Sequence, residues 1–230
     1  MEYLLYRSND GSLTKKKLIL PVLILAASIL YIFFIPDEPL WFKLIFKLIP
    51  MVLIIMYALL RMLRDKLKIH WLLLTGLIFC SIGDATLHWF IIGLSAFLIG
   101  HLFYIAAFLT QWKYNLYRLL SILPLGIFGM VMGVRMLEAL QASGDETLIV
   151  PVLFYIFAII LMAWSAFMTG NRWLIIGSLL FVASDSVLAW NMFVAPVAYS
   201  HLLIMSTYYG AQFFIAHSAS SFRKPNIGNK

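Results

Sequence analysis

Long apolar runs broken by short polar stretches organise the chain. There are eight, near 18–35, 42–60, 70–87, 90–110, 117–137, 147–168, 173–193 and 196–218. A helix of about 20 apolar residues is long enough to cross the hydrocarbon core of a bilayer. The runs are continuously apolar and lack the alternation of a membrane strand. The pattern therefore predicts an all-α integral membrane protein with eight transmembrane helices. The breaks read as turns: Asp37-Glu38-Pro39, the charged stretch Arg61 to Lys68, Ser143-Gly144-Asp145-Glu146, and Thr169-Gly170-Asn171. Connections this short make consecutive helices neighbours. With no linker between them, residues 1–230 are expected to form a single transmembrane domain. The first run lies too deep in the chain for a simple cleaved signal. Pro36, Asp37 and Glu38 follow it, rather than a small-residue cleavage site.

Composition agrees. Apolar residues make up 63% of the 230 positions and charged residues 12%. That is too few charges for a water-facing enzyme surface, and too many aromatics for disorder. The lone cysteine, Cys80, excludes an intramolecular disulfide. The net charge of +7 reads as topology rather than nucleic-acid binding, because basic residues collect in cytoplasmic loops. One side of the predicted topology holds Arg7, Lys15, Lys16, Lys17, Arg61, Arg64, Lys66, Lys68, Lys113, Arg118, Arg172, Arg223, Lys224 and Lys230. The other holds only Lys43, Lys47 and Arg135. Both termini are therefore expected in the cytoplasm.

Within the apolar runs, one segment recurs. Gly76-Leu77-Ile78-Phe79-Cys80-Ser81-Ile82-Gly83-Asp84-Ala85-Thr86-Leu87 returns 101 residues later as Gly177-Ser178-Leu179-Leu180-Phe181-Val182-Ala183-Ser184-Asp185-Ser186-Val187-Leu188. Each copy has a glycine eight residues before its aspartate, a leucine three after, and a tryptophan five after (Trp89, Trp190). The copies occupy spans three and seven, which run in the same direction. This reads as a four-plus-four parallel duplication, with halves at about 18–110 and 117–218.

Of the ten acidic residues, only Asp84 and Asp185 lie well inside spans. A carboxyl group in the membrane is costly and points to function. The bland alternative is an aspartate that only ties helices together. Asp84 lies about 20 Å along its helix, just past the midplane on the outer side, and Asp185 reaches a similar depth. Lys47 can extend to that layer. Asn191 closes span seven on the same face, and His101, Tyr208 and Tyr209 lie near the midplane. Together they predict a polar pocket in the outer half of the membrane. Asp84 and His88 share a helix face at i, i+4, and with His101 and His201 could form a zinc site; no HExxH-type spacing supports one. Cys80 and His88 also share that face, which is weak support for a thiol nucleophile. The glycines at 76, 83, 93 and 100 read as close helix contacts.

These residues carry a resemblance. Gly76-Leu77-x-Phe79-x-x-x-Gly83-Asp84-x-x-Leu87, Phe181-x-x-Ser184-Asp185, His101-x-x-Tyr104, Lys47-x-x-Pro50 and Ile204-Met205-Ser206-Thr207-Tyr208-Tyr209-x-Ala211-Gln212 resemble the YhhN-type lysoplasmalogenase family of multi-pass membrane proteins, its animal members most of all. The resemblance implies hydrolysis of the vinyl ether bond of lysoplasmalogens. The products would be a fatty aldehyde and glycerophosphoethanolamine or glycerophosphocholine. It implies no cofactor, a lysophospholipid drawn from the bilayer, and residence in the endoplasmic reticulum; a bacterial inner membrane stays open, as does a homo-oligomer.

Such a reaction needs a carboxylic acid to protonate carbon, and a carboxylate to stabilise the resulting oxocarbenium ion or activate water. Glycosidases solve an analogous problem with two unlike carboxyl groups. Asp84 and Asp185 are the expected catalytic residues, with the acid unassigned. Lys47 is expected at the lipid phosphate. His101, Tyr104, Asn191, Tyr208, Tyr209 and Gln212 are expected to orient water or substrate. The alternative is a proton-coupled transporter of lipids or small molecules using the same buried pair.

Overall fold

The structure, a computed structural model, describes residues 19–36, 38–62 and 67–222. Asp37, the loop cations Arg64 and Lys66, and the terminal cations Arg7, Lys15, Lys16, Lys17, Arg223, Lys224 and Lys230 lie outside the described residues. So do the termini whose side was read from them. Within the described residues there are only helices and turns. They are α1 (Ile19–Phe34), α2 (Leu40–Met62), α3 (Lys68–Thr86), α4 (Phe90–Leu109), α5 (Leu116–Leu120), α6 (Ile122–Ser143), α7 (Ile149–Thr169), α8 (Arg172–Ala189) and α9 (Ser200–Ser218).

Among the described residues, six stretches are long and apolar enough to cross a membrane: Leu40–Met62, Lys68–Thr86, Phe90–Leu109, Leu116–Ser143, Glu146–Thr169 and Arg172–Val194. The other two expected spans differ for separate reasons. The described part of α1 is shorter than a full crossing. α9 has 19 residues, but Ser206, Thr207, Tyr208, Tyr209 and Gln212 interrupt its apolar run. A helix shielded by its neighbours need not be apolar all round, provided its polar groups find partners. Tyr208, Tyr209 and Gln212 are all turned inward and buried.

Local sequence explains the helix ends. Gly144 and Gly170 terminate α6 and α7 with positive φ, 81° and 67°, a conformation only glycine adopts cheaply. At Gly170 the Arg118 guanidinium also fills the space a side chain would need. Asn115 and Asn171 cap α5 and α8 by accepting hydrogen bonds from backbone N–H groups two and three residues on. α8 ends in a single π-helical turn, Trp190–Val194. All seven tryptophans lie at or within two turns of helix ends, as expected of side chains with one end in lipid and one in the headgroup region.

The helices pack in matched pairs: α3 on α4 and α8 on α9, α2 on α3 and α7 on α8, α4 on α7 and α2 on α9. Small residues make the closest of these contacts. A Cβ on Gly76 would overlap the Tyr104 ring, one on Gly83 the Phe97 ring, and one on Gly93 the backbone of Leu87. One on Gly100 would lie 2.7 Å from Cys80 Sγ and 3.2 Å from the Gly76 carbonyl oxygen. Behind the Cys80 thiol the Gly100 contact is with backbone, which cannot rotate away. Gly100→Val is therefore expected to push α4 off α3 and to cost roughly 1–3 kcal/mol. Its melting temperature in detergent should fall clearly below that of Gly126→Ala, whose added Cβ meets nothing.

Candidate active site

Asp84 is two residues from the end of α3 and 3% exposed. Its Oδ1 faces the Lys47 ammonium at 3.2 Å, and the same ammonium donates to the Asp84 backbone carbonyl at 3.3 Å. Lys47 is held from behind. The Tyr209 hydroxyl donates to the Lys47 carbonyl oxygen at 2.8 Å. Among the described residues, Asp84 Oδ2 makes no well-formed hydrogen bond, and the Tyr208 hydroxyl is near enough to interact with the carboxyl group. The carboxyl group is thus fixed at one oxygen and more lightly held at the other.

Asp185 occupies the matching place in α8 and is partly buried. No cation is paired with it among the described contacts; the Tyr155 hydroxyl of α7 donates to its Oδ2. The serine before it, Ser184, donates to the Ile204 carbonyl oxygen at 3.0 Å and ties α8 to α9. The two carboxyl groups therefore have unlike partners, one an ammonium and one a phenol.

Both open onto one cavity of about 400 Å³, within the range of small-molecule sites. Its polar lining includes Lys43, Lys47, Asp84, His88, Asp185 and Tyr208. Most of the rest is aliphatic or aromatic, supplied by α2, α4, α6, α7, α8 with its π turn, and α9. Tyr208 also donates to the Cys80 carbonyl oxygen at 3.4 Å.

The structure brings four of the expected residues to this cavity: Asp84, Asp185, Lys47 and Tyr208. The others lie around it. Tyr209 braces Lys47. Tyr104 donates to Gln212 Oε1 at 2.6 Å, joining α4 to α9 beneath the site. His101 is fully buried, with its ring packed against Tyr155 and Phe181 at centroid distances of 5.2 and 4.6 Å. Asn191 turns its Oδ1 to the Val197 N–H at 2.9 Å and shapes the loop between α8 and α9. Lys47 is paired with Asp84 at the cavity, and Lys43 also lines it. Cys80 is buried against Gly100 and does not line the cavity. Among the described residues, no three His, Cys, Asp or Glu side chains converge in a metal-binding group.

Tyr155, which lines the cavity and donates to Asp185, is the candidate site residue that sequence reasoning passed over. A signal was present: it carries the only hydroxyl between Thr147 and Ser165. Such a group inside the membrane must find a partner.

A polytopic helical membrane protein with two carboxyl groups and a lysine facing a mostly apolar cavity is the class that fold and site define. The chain belongs to the YhhN family, whose pattern it matches over residues 42–219. Lysoplasmalogenase TMEM86B of Mus musculus is 31% identical over 211 residues, covering 89% of this chain and 86% of the relative. Lysoplasmalogenase TMEM86B of Homo sapiens is 32% identical over 204 residues, covering 85% and 84%. Lysoplasmalogenase TMEM86A of Homo sapiens is 35% identical over 172 residues, covering 65% of each. No solved structure matches the chain.

Proposed function

We propose that this protein is a lysoplasmalogenase of the endoplasmic reticulum membrane. It would hydrolyse the vinyl ether bond of alkenyl-glycerophosphoethanolamine or alkenyl-glycerophosphocholine to a fatty aldehyde and the glycerophospho-alcohol. The names of its relatives support the reaction class. The observation that carries the reading is the pair of carboxyl groups at one cavity, Asp84 on an ammonium and Asp185 on a phenol.

Those partners suggest the roles. An adjacent ammonium favours a carboxylate, whereas an apolar setting with no paired cation among the described residues favours the uncharged acid, the phenol's hydrogen bond opposing this only in part. Asp185 is accordingly the acid and Asp84 the base. The Asp185 proton goes to the vinyl carbon distal to oxygen, giving an oxocarbenium ion and an Asp185 carboxylate. Water adds to the cationic carbon as Asp84 Oδ2 takes its proton, giving a hemiacetal. Asp84 then protonates the glyceryl oxygen while Asp185 removes the hemiacetal hydroxyl proton. The C–O bond breaks, aldehyde and alcohol leave, and both carboxyl groups regain their starting states. Lys43, which lines the cavity near the Lys47–Asp84 pair, places a further ammonium at the proposed headgroup end.

The four-plus-four parallel duplication and the cytoplasmic termini belong to the same proposal. The matched helix pairs support the first: exchanging the halves maps α2 on α3 onto α7 on α8, and α4 on α7 onto α9 on α2.

The test is aldehyde release by the purified protein given lysoplasmenylethanolamine, with an ester-linked lysophospholipid as control. Aldehyde from the vinyl ether alone is the expected result; none from folded protein would overturn the reading. Tyr155→Phe tests the role assigned to Asp185. The phenol's hydrogen bond strengthens as Asp185 becomes a carboxylate, so its loss falls on the transition state. kcat should drop about tenfold to a hundredfold, with KM little changed.

A further inference from the structure

We propose that the cavity is served from the exoplasmic side of the membrane alone. The lysolipid is drawn from the exoplasmic leaflet, and the glycerophospho-alcohol leaves on that side, which in the endoplasmic reticulum is the lumen. The proposal rests on the lysolipid reading above and adds the leaflet of the substrate and the compartment of the polar product.

Three observations carry it. First, the cavity belongs to one end of the bundle. Its lining stops at one level on four helices. On α2 it includes Lys47 but not Met51, on α3 Asp84 but not Cys80, on α4 Phe97 but not His101, and on α9 Tyr208 but not Gln212. Each excluded residue is about one helical turn deeper, and all four are 0% exposed. They form a packed floor. Leu40, His88, Met192 and His201 line the cavity and are exposed. They sit at the start of α2, just after α3, in the π turn after α8 and at the start of α9, all at the opposite end from the floor. The remaining exposed lining residue, Phe128, lies in the first half of α6, inside a membrane span. Its exposure is to lipid and offers a polar product no exit.

Second, charge assigns that end. The connections at the cavity end, 35–39, 87–89, 144–148 and 190–199, contain no lysine or arginine. At the closed end, Lys113 lies in the turn between α4 and α5, Arg61 and Lys68 flank the turn between α2 and α3, and Arg172 begins α8. Connections rich in Lys and Arg stay in the cytoplasm. The closed end is therefore cytoplasmic and the open end exoplasmic.

Third, the lining matches the way a lipid already stands in the exoplasmic leaflet. Lys43 is one turn nearer the mouth than Lys47, and His88 one turn nearer than Asp84, so N–H donors for a phosphate lie at the rim. Deeper, beyond Tyr155, the wall is apolar: Ile159 and Ile160 of α7, with Gly129 packed on Ile160. An exoplasmic lysolipid has its headgroup at that surface and its chain toward the midplane, so it enters without turning over. One from the cytoplasmic leaflet would first have to carry its phosphate through hydrocarbon, where an unpaired charge is costly.

The experiment uses the full chain in sealed liposomes with one orientation in excess, and lysoplasmenylethanolamine added from outside. Two single replacements report orientation to a membrane-impermeant maleimide: Thr147→Cys in the turn before α7, at the cavity end, and Tyr114→Cys in the turn before α5, at the closed end. Both positions are exposed and off the cavity lining, and the native Cys80 is buried. Activity open to external substrate, as a share of that after detergent opening, should equal the share of Thr147→Cys labelled from outside. Agreement with the Tyr114→Cys share, or full activity in both orientations, would overturn the proposal while leaving the lysolipid reading standing. No aldehyde even after opening would overturn the lysolipid reading, and this proposal with it. In sealed microsomes, whose cytoplasmic face is outward, the maleimide should label Tyr114→Cys and spare Thr147→Cys until the vesicles are opened. The reverse pattern would overturn the exoplasmic assignment.

Discussion

Asp185→Asn is expected to fold normally and to lose vinyl ether hydrolysis by about 10²–10⁴-fold, the usual contribution of a positioned acid or base. Asparagine keeps the shape of the side chain, and its amide oxygen can still accept the Tyr155 hydrogen bond. It cannot give a proton to carbon. Asp84→Asn is expected to lose a similar factor for a different reason, because the amide cannot take a proton from water. The two groups act in one sequence of transfers, so the double variant should fall little below the weaker single one. Aldehyde release per folded protein, measured well below each variant's melting temperature, is the measurement. If either variant retained turnover within about twofold of wild type, its carboxyl group would have no part in the rate-determining steps. If the losses multiplied, the groups would act independently and the shared cycle would be wrong.

Much of this site was legible because two costly residues recur. A buried aspartate invites a functional reading on its own, and two at equal places in a repeat strengthen it. Depth counting along α2 and α3 also put Lys47 in the same layer as Asp84, and the ion pair between them follows. What that counting could not supply is direction around the helix axis. His101 and Gln212 lie at plausible depths, yet one is enclosed by Tyr155 and Phe181 and the other is bonded to Tyr104. Each shapes the cavity wall from outside it.

Hydropathy also has a physical limit here. It registers helices that face lipid, and so found the six clear crossings. α9 packs against α2, α3 and α8 and carries its polar groups inward, so its sequence looks less like a span the more completely it is surrounded. Tyr155 escaped for the opposite reason: it stands in one of the most apolar stretches, where a single phenol does little to the pattern. The glycines fared better. A residue without a side chain at positions 76, 83 and 100 makes sense where another helix comes close, and each of the three has such a neighbour, whereas Gly93 packs on Leu87 in the turn before its own helix.

Lys47→Met is expected to be the most damaging single change to stability, and it separates two readings of the ion pair. Removing one partner of a buried pair leaves the other charge uncompensated, at a cost of roughly 3–5 kcal/mol. Lys47 is 12% and Asp84 3% exposed, so little water is available to solvate an orphaned carboxylate. The variant should melt well below wild type in detergent. Adding Asp84→Asn removes the orphaned charge along with its partner, and should restore most of the lost melting temperature. Activity should behave otherwise. The double variant lacks the base that takes the water proton, so it should be folded and inactive. A structural role for Asp84 predicts recovery of both properties together; a catalytic role predicts recovery of stability alone. If Lys47→Met melted like wild type, the pair would not be the buried unit described, and the carboxylate state assigned to Asp84 would lose its physical basis.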